Sequence, residues 1–196
     1  MAEYVPLPSE VRGLMDQTLI LVDPGDRWLG YAQRSVCHEG DGKLHRAIAA
    51  ILFDAEGHIL LQKRKASLWD GYWDVTGATH PLHLESHDES YEEAAERCIV
   101  TEWGIQTPLR RELSFTYFAR FAEYCENEYC VVLTGQYDGT PAYNHEHAYD
   151  LRWVDPATCL REMQREPQRF TPWARHTMRG VASARPGLDQ SASQEW

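Results

Sequence analysis

The chain has 196 residues, 43% of them apolar and 25% charged, a composition that suits one globular domain with a full core. Its net charge of −11 excludes a general nucleic-acid binder, whose affinity rests on a basic surface. No apolar run approaches the roughly 20 residues of a membrane span, and Met1-Ala2-Glu3-Tyr4-Val5-Pro6 lacks the basic and apolar regions of a secretory signal; a cytoplasmic protein with no membrane partner is expected.

Residues 1–16 are Pro-rich and weakly patterned, and an N-terminal arm is expected there, followed by one domain over 17–182. Thr18 to Asp23 is apolar enough for a strand, with Pro24-Gly25-Asp26 as its turn, and Trp28 to Arg34 is a second extended piece. Cys37 to Gly42 holds two glycines and is expected to be a loop. The run His45 to Phe53 is nearly all apolar and suits a strand buried on both faces. Asp54-Ala55-Glu56-Gly57 turns it back into His58 to Lys63 as a hairpin.

Ser90 begins the best helix in the chain. Ser90 and Glu93 have capping-box spacing, and Gly104 stands where a C-terminal glycine belongs. Ala95, Cys98, Ile99 and Glu102 share one face of this helix. A carboxylate on that face needs an ion pair or a metal. Ser114 to Phe121, Tyr124 to Tyr137 and Leu151 to Val154 are further strands. Asp155-Pro156 opens a helix carrying Leu160 and Met163, and Phe170-Thr171-Pro172-Trp173 opens the last one, expected to end near Gly180. A Ser- and Gln-rich tail, expected to be mobile, covers 183–196. Strands in the middle and helices after them predict an α+β fold with a central mixed sheet flanked by helices. The five cysteines, Cys37, Cys98, Cys125, Cys130 and Cys159, include no C-x-x-C pair, so buried free thiols are expected rather than disulfides or a zinc ribbon.

Three histidines, His38, His45 and His80, and two carboxylates one residue apart, Glu126 and Glu128, make a divalent-metal site the first chemistry to test. Period two puts both glutamates on one strand face with Cys130 and Val132. Singly, each signal also fits a surface imidazole or a solvated strand edge. Arg34, Lys63, Arg64 and Lys65 would suit a diphosphate, which takes several charge-assisted donors; a solvated basic turn is the plainer alternative.

Order and spacing carry more than any single residue. Leu44-His45-Arg46-Ala47 with His38 upstream, Leu60-Leu61-Gln62-Lys63-Arg64, Gly71-Tyr72-Trp73, Thr79-His80-Pro81, Glu102-Trp103-Gly104, Glu126-Asn127-Glu128 and Thr171-Pro172-Trp173 together resemble the type 1 isopentenyl diphosphate isomerases, which have a Nudix-like fold. The likeness runs from about Leu19 to Met178. It implies a metal-dependent enzyme working on an isopentenyl or prenyl diphosphate by proton transfer at an alkene. It implies that His38, His45, His80, Glu126 and Glu128 bind a metal, manganese or zinc, and that Glu128 also moves the proton. Glu102 is implied to help hold magnesium with the substrate diphosphate, and Arg34 and Arg64 to contact that diphosphate, with Lys65 beside them. Tyr117 matches an active-site tyrosine, and Trp173 a tryptophan whose π-face can stabilise a tertiary carbocation.

The chain also departs from that family. The family carries a cysteine two positions before its His-Pro histidine, one half of its proton shuttle, and here the position is Ala78. Alanine neither gives nor takes a proton, and Thr79 has a hydroxyl far less acidic than a thiol. One working end, Glu128, could still protonate an alkene and leave the cation to be quenched by cyclisation, by water or by loss of another proton. A family arginine aligns with Cys98, next to Arg97, and the loop after Arg64 is shorter. Against the Nudix box, G-x5-E-x7-R-E-U-x-E-E-x-G-U, Glu89, Arg97, Glu102 and Gly104 are in register, but His83 replaces the first glycine and Cys98 and Thr101 replace two glutamates. A Nudix-type diphosphate hydrolase and a silent ligand-binding relative are therefore the alternatives.

Overall fold

A computed structural model describes residues 17–142 and 144–186. The fold is organised around the apolar run 45–53. As strand β3 (His45–Phe53) it is buried along almost its whole length. Its alternate residues feed two different cores, as period two requires: Ala47, Ala49, Ile51 and Phe53 enter one, Ile48, Ala50 and Leu52 the other.

Strands β1 (Thr18–Val22), β2 (Trp28–Gln33), β4 (Ile59–Arg64), β5 (Trp73–Asp74), β6 (Gly77–Thr79), β7 (Arg110–Phe121), β8 (Tyr124–Gln136) and β9 (Ala148–Val154) complete a nine-stranded sheet. One path runs β2-β1-β3-β4-β5, with β9 beside β4 and β7 beside β8. β3 pairs antiparallel with β6 and in parallel with β8. The sheet is therefore mixed, and the expected α+β class holds.

Helix α2 (Tyr91–Trp103) covers the second core with Tyr91, Ala95, Ile99 and Trp103. Its capping box forms: Glu93 N donates to Ser90 Oγ at 3.1 Å, and Ser90 N to Glu93 Oε2 at 2.7 Å. Gly104 closes it at φ 65°, the left-handed conformation that glycine tolerates best. Helices α3 (Pro156–Arg165) and α4 (Pro172–Ala184) begin with Asp155 and Thr171 as N-caps and a proline in the first turn, and they cover the first core.

Several boundaries depart from the sequence reading, among them β9, which begins at Ala148 rather than Leu151. The segment after β2 is a short helix, α1 (Arg34–His38), rather than extended chain and loop. β7 begins at Arg110. α4 passes Gly180 and ends at Ala184, because Gly180 is a packing glycine: a Cβ there would stand 2.9 Å from Leu113 Cδ2 on β7. Beyond the helix, Arg185 holds Glu112 with two bonds, Nε–Oε1 2.9 Å and Nη2–Oε2 2.7 Å. The expected arm, 1–16, and residues 187–196 of the tail lie outside the described residues. All five cysteines are free and buried, as expected. No described helix is long and apolar enough to cross a membrane.

Candidate active site

Register brings the five candidate ligands together. In the parallel pair β3–β8, His45 stands opposite Glu128. A bridge between Glu39 and Tyr124 ties the end of α1 to the start of β8 and so sets His38 against Glu126. β6 lies on the other side of β3, and His80 follows it directly. All five residues are buried, and each offers a ligand atom within 4.8 Å of the others. His80 Nε2 lies 2.9 Å from Glu128 Oε1, His38 Nε2 3.0 Å from Glu126 Oε2, and His45 Nε2 3.9 Å from Glu128 Oε1.

The hydrogen bonds behind these atoms select their tautomers. His38 Nδ1 lies 2.8 Å from the Arg34 carbonyl and His45 Nδ1 2.7 Å from the Lys43 carbonyl. A carbonyl only accepts, so each Nδ1 donates and each neutral ring presents a lone pair at Nε2. Those two Nε2 atoms and Glu126 Oε2 are buried without a hydrogen-bond partner. Burial pushes the pKa of His45 and of His80 well below the ordinary histidine value, followed for His45 by repulsion from His80 and His38, and for His80 by the Arg34 charge. In His38 burial also lowers the pKa, but the Glu126 carboxylate outweighs it and the net shift is upward. Neutral imidazoles with free lone pairs beside a carboxylate form a group that can hold a divalent metal ion.

Glu128 is held from two sides. Tyr117, its cross-strand partner on β7, donates its hydroxyl to Oε2 at 2.6 Å, while His80 meets Oε1. Burial raises the Glu128 pKa from the ordinary glutamate value, against the lowering effect of the Tyr117 bond. Burial likewise raises Tyr117, which stays a protonated donor.

A cavity of about 880 Å³ opens beside this cluster. Arg34, Arg64, Lys65, Glu102 and Trp173 all line it, and so do the ligand candidates other than His45, which is fully buried. Arg64 Nη1 donates to Asp74 Oδ2 at 2.8 Å, and its guanidinium carbon sits 5.1 Å from the centre of the Trp173 ring. Lys65 Nζ donates to the His145 carbonyl at 2.9 Å. Of the two options for Glu102, no ion pair forms among the described residues; its oxygens meet the Cys98 thiol at 3.4 Å and the Gln62 amide at 3.4 Å. Burial raises its pKa to about 7.

Ala78 lines the cavity on β6, paired with Ala49. Cys98 lines it as well, against the same strand: a Cβ on Gly77 would stand 2.9 Å from its sulfur. Two polar residues were given no role from the sequence. Gln62 and Asp74 are both buried, and each interrupts an apolar stretch, Leu60-Leu61-Gln62 and Trp73-Asp74-Val75, which was the available signal.

Residues 43–174 match the NUDIX domain model. The chain is 32% identical over 174 residues to isopentenyl-diphosphate Delta-isomerase 2 of Aromatoleum aromaticum, covering 87% of this chain and 89% of that one. It is 35% identical over 162 residues to the isopentenyl-diphosphate Delta-isomerase of Burkholderia multivorans, covering 81% and 89%. Among solved structures it resembles DR0079 from Deinococcus radiodurans, with a TM-score of 0.65 at 18% identity over 83% of this chain and 98% of that one. The chain belongs to the isopentenyl-diphosphate Delta-isomerase family of NUDIX-domain proteins.

Proposed function

We propose that this chain is a divalent-metal-dependent enzyme that transfers a proton to the alkene of an isopentenyl or longer prenyl diphosphate. The observation that carries this reading is Glu128: a buried carboxylate, fixed by Tyr117 and His80, at the wall of a cavity that also presents Arg64 and Trp173. His38, His45, His80, Glu126 and Glu128 would hold manganese or zinc, and Glu102 would face a magnesium ion arriving with the diphosphate. Bound there, a metal ion would supply positive charge that makes a carboxyl group beside it a stronger acid, and so eases loss of the Glu128 proton to the alkene.

Arg34 and Arg64, with Lys65 at the rim, receive the diphosphate through charge-assisted bonds. Protonated Glu128 gives its proton to the alkene: its O–H bond breaks, the π electrons form the new C–H bond, and a tertiary cation results. Tyr117 steadies the carboxylate left behind. The Trp173 ring offers its π-face to the cation. Ala78 takes no part in proton movement, so the cation loses a proton to water or to the Glu128 carboxylate, either directly or after closing on a second alkene in a longer chain.

Hydrolysis is less well supported. Glu89, in register with the first glutamate of the Nudix box, is held by Arg97 Nε at 2.7 Å, Arg97 Nη2 at 2.8 Å and Leu82 N at 2.9 Å. Its oxygens already hold three donors.

The test is an NMR time course with isopentenyl diphosphate, magnesium and manganese in deuterated water, repeated with longer prenyl diphosphates. Deuterium appearing on carbon in the product, with the diphosphate intact, is the expected result. Release of phosphate or diphosphate with an unlabelled alkene would overturn the reading in favour of hydrolysis.

A further inference from the structure

Asp74 is fully buried, and the roles above make no use of it. A buried carboxylate is costly unless its oxygens are satisfied, and this one accepts three hydrogen bonds. Val75 N (2.8 Å) and Thr171 Oγ1 (2.9 Å) donate to Oδ1, and Arg64 Nη1 (2.8 Å) donates to Oδ2. Each of the two side-chain donors leads to the cavity. Arg64 lines it directly and keeps a buried Nε with no hydrogen-bond partner. Thr171 is the N-cap of α4, and Trp173 sits in the first turn of that helix. The same junction is fastened a second time, by Thr171 N donating to the Trp73 carbonyl at 3.0 Å.

We propose that Asp74 is a positioning residue that joins the anion-binding end of the cavity to its aromatic wall. One oxygen orients the Arg64 guanidinium, and the other anchors the first turn of α4 and with it Trp173. One carboxylate thereby couples the cation that grips the substrate to the ring that faces its hydrocarbon part, beside the Thr171 N–Trp73 carbonyl bond and the Arg64–Trp173 contact. Neither contact requires Asp74 to touch substrate. This inference rests on the reading that Arg64 receives a diphosphate.

The experiment uses inorganic diphosphate with magnesium as probe, and calorimetry on the full chain as wild type, Arg64→Met, Asp74→Asn and the double variant. Arg64→Met is expected to weaken diphosphate binding about ten-fold, as loss of charge-assisted bonds does. Asp74→Asn alone is expected to weaken it by about five-fold, and the double variant to match Arg64→Met, because residues acting through one contact are not additive. Manganese binding at the His/Glu cluster is expected to stay within about two-fold in all three, which a general loosening of the fold would not allow.

Thr171→Val, a milder change that leaves the Arg64–Asp74 pair intact, is expected to lower kcat while leaving the diphosphate Kd unchanged. An Asp74→Asn effect that simply adds to that of Arg64→Met, or no effect of Asp74→Asn while Arg64→Met weakens binding, overturns this inference alone. Undiminished binding by Arg64→Met overturns the diphosphate assignment and this inference with it. If Asp74→Asn does not fold, Thr171→Val decides: an unchanged kcat overturns the link to Trp173.

Discussion

Arg34 Nη1 lies 2.8 Å from His80 Nδ1. Guanidinium has donors only, so Nδ1 is the acceptor and the proton of this neutral ring sits on Nε2, pointing at Glu128. His38 and His45 have the opposite tautomer, with Nε2 free. For His80 to join them as a neutral Nε2 ligand its proton must move to Nδ1, and Arg34 must then give up its bond. Arg34→Met is therefore expected to tighten divalent-metal binding by roughly five-fold, about 1 kcal/mol for one hydrogen bond, while weakening diphosphate. Titration of the metal-free protein with manganese checks it; weaker metal binding in the variant would refute the tautomer argument.

Glu128→Gln keeps the size and most hydrogen-bonding capacity of the side chain but cannot deliver a proton. Turnover of any prenyl diphosphate is expected to fall by at least the roughly 10²–10⁴-fold that general acid catalysis contributes. The thermal midpoint is expected to hold to within a few degrees of wild type, about 1 kcal/mol of stability. Retained activity in a folded variant would remove Glu128 from the reaction.

Ala78→Cys adds a thiol at a position that already lines the cavity on a three-residue strand. The expected outcome is faster conversion of isopentenyl to dimethylallyl diphosphate, on the order of ten-fold or more, because a second proton-transfer group becomes available. The deuterium assay reads it directly. No gain would mean that the hydrocarbon part of the substrate lies elsewhere in the cavity.

Glu102 gives the metal-free protein a pH signature. Burial raises its folded pKa to about 7, while the unfolded chain titrates near the ordinary glutamate value of 4.5. The folded state holds this proton more tightly, so ionisation opposes folding. Its contribution falls as pH rises from the unfolded value through about 7, by on the order of 1–3 kcal/mol. Urea unfolding of the metal-free protein at pH 5 to 8 is expected to show this decline, and Glu102→Gln to flatten it. Identical slopes in the two proteins would contradict the assignment.

Much of this was legible because periodicity and register are local properties. The nearly all-apolar run 45–53 suited a strand buried on both faces, and Glu126 and Glu128 had to share a face. The Ser90–Glu93 box and Gly104 marked both ends of α2. The rest depended on distant contacts. Gly40 and Gly42 suggested a loop and hid the preceding helical turn that carries His38. Gly180 suggested a helix end, whereas its missing side chain makes room for Leu113 of β7. Asp74 gave no sign of its partners because Thr171 is 97 positions away. The meeting of His80 with Arg34, 46 positions apart, was likewise invisible until β6 was placed against β3.

Arg97 binds both oxygens of Glu89 and, through Nη2, the backbone carbonyl of His80 at 3.0 Å. Two remnants of the Nudix box thus brace the histidine at the edge of the cluster. At the next helix position, Cys98 packs against Gly77 with no spare room and points at Glu102. Restoring a glutamate there would crowd β6 and set two carboxylates one helical turn apart, which is destabilising for like charges. A larger side chain at position 98 would therefore press on the strand that leads directly into His80, so the packing of β6 ties the identity of that one helix residue to the placement of a candidate ligand.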